Sequence, residues 1–82
     1  MSNYIYVINI DEPTELISKS KKKAINYFLE FEDSTIDIFT ESWERMGDYE
    51  NSGFDEFGDI ENWIESAILD YHYFKWLNNL HN

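Results

Sequence analysis

Carboxylates are the side chains in this sequence best equipped for chemistry. Asp37, Glu41, Glu44 and Asp48 recur at i, i+4, i+7 and i+11, and Glu61 and Glu65 repeat the i, i+4 step. On helices, successive members of each row would stand about 6 Å apart on one face, a single turn between them. Asp55 and Glu56 add an adjacent pair, and Arg45 is the one base nearby. Rows of this kind have three chemical uses: proton transfer, cation binding, or charge-assisted hydrogen bonding to the lysines and arginines of a basic partner.

The first two uses find little support. Acid–base work needs one carboxyl raised in an enclosed cleft, and a chain of 82 residues rarely builds one. No G-x-S-x-G, P-loop or G-x-G-x-x-G pattern occurs. His72 and His81 lie nine residues apart without a cysteine or an H-x-x-x-H pair, so no transition-metal site is expected. His72 falls on the polar side of the last expected helix, solvated. Asp48 to Asp59 loosely follows a calcium-binding loop, with oxygen side chains at positions 1, 3, 5, 9 and 12 and Gly53 at position 6. Asp at position 12 is too short for the bidentate reach of Glu, Asp55 stands where a branched apolar residue belongs, and Gly47 ends the preceding helix one residue early. The expectation is a non-enzymatic chain with no metal and no cofactor.

Charge supports the third use. The formal net charge is −11, and fourteen of the seventeen acids lie between Glu30 and Asp70 with Arg45 as their only base. Duplex DNA, RNA and anionic membranes repel such a surface, so none is expected as a direct partner. Acidity serving solubility alone would be spread evenly, and concentrating it opposes compaction. A basic protein partner fits better.

The elements that must position these residues belong to one domain, 1–82. With 43% hydrophobic and 18% aromatic residues, the chain is too apolar for a disordered tail. No apolar run approaches the roughly 20 residues of a membrane span, and the N-terminus lacks the basic start of a signal peptide, so a cytoplasmic setting is expected. Residues 3–10 are a β-rich strand, with Tyr4, Tyr6, Ile8 and Ile10 on one side and Ile5 and Val7 on the other, expected to be buried mostly on both faces. Asp11–Thr14 reads as a turn around Pro13, and residues 15–18 return as a second strand. The competing reading starts a helix at Pro13. Ser18 and Ser20 then cap a helix over Lys21–Phe31, whose Ala24, Ile25, Phe28 and Phe31 share a stripe.

Ser34-x-x-Asp37 matches a capping signature, which predicts a second helix over Thr35–Met46, stopped by Gly47. Its Ile36, Phe39, Trp43 and Met46 cluster on one side, with the acidic row about 120° away. A loop follows over Asp48–Gly58, pinned by Phe54 and Phe57. Asp59 caps the last helix, Ile60–Asn78, whose inner stripe reads Ile60, Trp63, Ile64, Ala67, Tyr71 and Phe74. The expected architecture is α+β: an N-terminal β-hairpin, or a single strand, packed on three helices.

The last helix has a second apolar stripe, Leu69, Tyr73, Trp76 and Leu80, opposite the first. It is either sandwiched between the hairpin and another helix, or it is an exposed patch for a protein partner or a second copy of the chain.

Small, cysteine-free, strongly acidic domains with aromatic surfaces resemble phage-encoded anti-defence inhibitors, including anti-restriction and anti-CRISPR DNA mimics. The likeness is one of size and charge pattern, and the carboxylates from Glu30 to Asp70 carry it; residues 1–29 would be scaffold. It implies steric blockade of the DNA- or PAM-binding cleft of a host defence nuclease or similar protein, with Asp37, Glu41, Glu44, Asp48, Asp55, Glu56, Glu61 and Glu65 meeting the target. Two alternatives stay open: an adaptor or homodimer working through Leu69, Tyr73, Trp76 and Leu80, and an immunity protein against a basic nuclease toxin.

Overall fold

An unbroken run of β-branched and aromatic residues, Tyr4, Ile5, Tyr6, Val7 and Ile8, forms the central strand of one four-stranded antiparallel sheet, with Ile5 to Ile8 all buried. The computed structural model describes residues 3–10 and 15–80. Its elements are β1 (Tyr4–Asn9), β2 (Glu15–Ser18), α1 (Lys21–Glu30), β3 (Thr35–Thr40), β4 (Arg45–Glu50) and α2 (Phe57–Leu80). The turn expected over Asp11–Thr14, and His81, lie outside the described residues.

β1 is the centre of the sheet, with Val7 opposite both Ile17 of β2 and Asp37 of β3. β2 and β3 flank it in the same direction, so a helix rather than a tight turn must join them, and α1 does so. Both helices cover one sheet face. Tyr6, Ile8, Ile36 and Ile38 meet Ala24, Ile25 and Phe28 of α1 and Ile60 and Ile64 of α2 in a single buried cluster. The period of two sends Ile5, Val7, Ile17, Asp37, Phe39 and Asp48 to the other face, which no helix covers.

The expected hairpin packed on three helices is thus corrected: residues 35–50 form the hairpin β3–β4, and only two helices are present among the described residues. Thr35, Ile36, Ile38 and Thr40 are β-branched, stiff in a helix and well suited to a pleated surface. Ile36 and Ile38 go inward and Asp37 outward, an alternation that a helical wheel conceals. The capping signature has another use: the buried Ser34 hydroxyl lies 2.9 and 2.7 Å from the carbonyls of Phe28 and Phe31, closing the C-terminus of α1. The Asn51 side-chain amide donates to the same carbonyls at 2.9 and 3.0 Å. These two residues supply the donors that the last carbonyls of α1 lack.

Gly47 does not stop a helix. It sits within β4 where α2 crosses, and a Cβ there would lie 3.4 Å from Ala67 Cβ and 3.6 Å from the Trp63 ring. The β3–β4 turn places Trp43 at φ 65°, a left-handed position that normally takes glycine. Its ring leans on Phe39 with centroids 5.5 Å apart. Ser20 caps α1 by accepting from the Lys23 N–H at 3.2 Å. Asp59 lies inside the first turn of α2 rather than ahead of it, accepting from the Glu56 N–H at 3.0 Å.

Candidate binding surfaces

The sheet register gathers one set of carboxylates at one end of the molecule. Thr35 pairs with Glu50, and the Asn51 N–H donates to the Ser34 carbonyl at 2.9 Å, so the end of α1, the start of β3 and the end of β4 converge. The loop after β4 joins them, since Gly53 lies beside the Glu32 carboxyl. Glu30, Glu32, Asp33, Glu50, Asp55, Glu56 and Asp59 therefore share this end, and no ion pair among the described residues involves any of them. Lys19, Lys21, Lys22 and Lys23 lie at or before the start of α1, Arg45 begins β4, and Lys75 is far along α2. Most of the bases are thus displaced toward the opposite end, while Lys21 reaches across to Glu61 and Glu65 in the first turns of α2.

The loop of the acidic end is held by its own hydrogen bonds. Asn51 Oδ1 accepts from the Gly53 N–H at 2.8 Å, and the Ser52 hydroxyl accepts from the Phe54 N–H at 3.2 Å. Asp55 accepts from the Ser52 N–H, the Ser52 hydroxyl and the Tyr49 hydroxyl at 3.2, 2.9 and 3.1 Å. Desolvation alone would raise the Asp55 carboxyl, but these hydrogen bonds outweigh it and hold it below the usual carboxylate range. The Tyr49 hydroxyl is raised by the same hydrogen bond. Phe54, expected to pin the loop to the core, instead stands 91% exposed at its apex; Phe57 packs against the core.

The eight carboxylates singled out by spacing are not brought together. Asp55 and Glu56 join the acidic end. Asp37 and Asp48 are register partners on the uncovered sheet face. Burial pushes the Asp37 carboxyl up, Arg45 pulls it down, and Asp48 adds to the rise, with the net result raised. Asn9 donates to Asp37 at 3.3 Å. Glu41 follows β3 and pairs with Lys19 at 3.6 Å. Glu44 is held by the Tyr71 hydroxyl and by Lys75 at 3.0 Å, and these contacts lower its carboxyl. Glu61 and Glu65 both reach Lys21, at 3.2 and 3.5 Å. Half the expected set is therefore paired with the chain's own lysines, Glu61 and Glu65 sharing one, and the helical row from Asp37 to Asp48 does not exist.

Spacing missed Glu30, Glu32, Asp33, Glu50, Asp59 and Phe54. One signal was available: the run from Glu30 to Asp33 closes a helix whose first turn is lysine-rich, the reverse of what the macrodipole favours. The calcium reading fails on placement. Asp48 and Glu50 lie on β4, Asp59 lies in α2, and no group of three His, Asp or Glu side chains able to hold a metal occurs among the described residues.

The second stripe of α2 is uncovered. Leu69, Tyr73, Trp76 and Leu80 are 70, 56, 56 and 61% exposed, so the sandwiched alternative is corrected. The helix outruns the sheet, and beyond Ile68 it is tied back mainly by Tyr71 and Lys75 to Glu44 and by His72, whose Nε2 lies 3.1 Å from the Tyr4 hydroxyl. His72 is thus engaged rather than merely solvated. No helix among the described residues is long and apolar enough to cross a membrane. No family model, curated protein or solved structure matches this chain.

Proposed function

We propose that this chain is a non-enzymatic binding inhibitor. It offers carboxylates in place of nucleic-acid phosphates to the basic cleft of a DNA- or RNA-handling protein, the kind of target that phage-encoded anti-restriction and anti-CRISPR proteins meet in a host cytoplasm. One observation carries the reading: seven carboxylates with no ion pair among the described residues share one end of the molecule, while all the bases but Lys21 lie toward the other. Charges set against the macrodipole at both ends of α1 cost about 0.3–1 kcal/mol each, so helix stability does not account for where they are. The hydrogen-bonded loop supports the reading further, because the carboxylates of Asp55 and Asp59 are already held in place and lose little entropy on docking. Exposed Phe54 in its midst supplies an apolar anchor.

The contact set is revised accordingly to Glu30, Glu32, Asp33, Glu50, Asp55, Glu56 and Asp59. The test measures duplex retention by a panel of purified restriction endonucleases and CRISPR effector complexes with the chain added. Inhibition of a member should fade as salt shortens the screening length from about 10 Å toward 3 Å. The double reversal Glu32→Lys with Asp33→Lys should weaken that inhibition about tenfold or more while raising the melting temperature, since it repairs the end of α1. Reversing Glu41, which is already paired with Lys19, should do much less. Inhibition that survives the double reversal, or a panel with no inhibited member, would overturn the proposal.

A further inference from the structure

We infer that the outward stripe of α2 is the seat of a second copy of this chain, laid antiparallel across it about a twofold axis between Tyr73 and Trp76. This goes beyond the acidic end and does not rest on it. Leu69, Tyr73, Trp76 and Leu80 follow steps of four, three and four, the alternating spacing of a two-helix seam. The spacing is self-complementary: in an antiparallel pair Leu69 meets its partner's Leu80 while Tyr73 meets its partner's Trp76. Tyr73 and Trp76 already lie side by side, with ring centroids 6.2 Å apart.

Area and charge both select this occupant. The four side chains expose on the order of 500 Å², near the top of the roughly 300–600 Å² that the largest apolar patch of an ordinary monomer reaches. Two such faces with their flanking groups approach the 1,200 Å² or so at which stable interfaces begin. The accessible surface of the single chain is 5725 Å², against about 5,200 Å² for a compact monomer of 9.9 kDa. The stripe contributes to that excess together with the other exposed apolar groups, Trp43, Phe54 and Phe74 among them.

Residues 69–80 carry one acid, Asp70, and one base, Lys75, so this segment is neutral in a chain of net charge −11. Two copies can touch here without bringing their acidic ends together. From Phe57 to the middle of the stripe is about 26 Å of helix, so an antiparallel pair holds those ends about 50 Å apart, many screening lengths. A parallel pair would set them side by side. Charge therefore fixes the direction.

Sedimentation equilibrium on the intact chain tests the inference. A mass of twice 9.9 kDa is expected at about 100 μM, with association strengthened by added salt, opposite to the salt response of the acidic end. Trp76→Glu should weaken it about a hundredfold or more, with far-UV dichroism unchanged; Leu69→Lys serves if that variant misfolds. Trp43→Glu, on the β3–β4 turn, should leave it intact. The chain has no cysteine, so Leu69→Cys and Leu80→Cys can be introduced singly. When the two variants are mixed and oxidised, Leu69→Cys chains should cross-link to Leu80→Cys chains in preference to like with like. A monomer at that concentration, a dimer indifferent to Trp76→Glu, preferential like-with-like cross-linking, or a monomer whose stripe binds lipid vesicles instead would each overturn it.

Discussion

Asp37 shows how one residue can be held against its own electrostatics. It faces Asp48 across the β3–β4 ladder, half-buried, with Asn9 as its hydrogen-bond donor. Its carboxyl is raised by burial, with Arg45 opposing and Asp48 adding. A raised folded value means that the native state holds the proton more tightly than the unfolded chain does. Stability from this residue therefore falls as pH rises from the ordinary carboxylate range through the folded value. Asp37→Asn keeps an oxygen for Asn9 and removes the like charge opposite Asp48. It should stabilise the domain by about 0.5–1 kcal/mol at pH 7, after allowance for solvent screening, and by almost nothing near pH 3. Urea midpoints at the two pH values check this, and an equal gain at both would rule the mechanism out. Glu44 has the opposite sign: Tyr71 and Lys75 lower it, so its contribution is present above the unfolded value and lost as pH falls through the folded one.

Among the elements, α1 and β4 are joined through Asn51, whose amide caps Phe28 and Phe31 from 20 or more residues away. Asn51→Ala leaves buried carbonyls short of a donor and should cost about 1–3 kcal/mol by chemical denaturation. A loss below about 0.5 kcal/mol would show that Ser34 alone suffices. This joint illustrates what the sequence makes legible. β1, β2 and α1 follow from local signals: the β-branched and aromatic run of residues 4–8, the return at Glu15–Ser18, and the Ser20 cap. Residues 35–46 carry two patterns at once. Ile36, Phe39, Trp43 and Met46 fit a helix, while Ile36 and Ile38 fit a strand. The strand wins because β1 offers Ile36 and Ile38 a ladder from Tyr4 to Asn9, a tertiary term that a single segment cannot announce. The candidate site inherits that error. Asp37, Glu41, Glu44 and Asp48 lose their common face once the backbone changes period, whereas Asp55 and Glu56, read as loop residues, remain in place.

At the scale of the whole molecule, the extents of 42 × 24 × 22 Å come from one long helix leaving a small sheet. The radius of gyration is 13.4 Å, against about 11.7 Å for a compact chain of this length. The sheet and the first half of α2 form the folded body, and the second half is an arm. Its backing is polar, through Glu44 and Tyr4, and its outward stripe is left out of the core.

Charge is polarised along that same long axis, which gives the single chain a permanent moment pointing away from its acidic tip. Against any cationic wall such a body turns and arrives tip first, with Trp76 trailing. In the proposed antiparallel pair the two opposed moments would cancel and leave a rod that is negative at both extremities, able to engage two basic clefts at once. Polylysine-coated beads should then agglutinate with the wild-type chain and stay dispersed with Trp76→Glu, as followed by turbidity. Equal agglutination by both would refute the end-to-end arrangement.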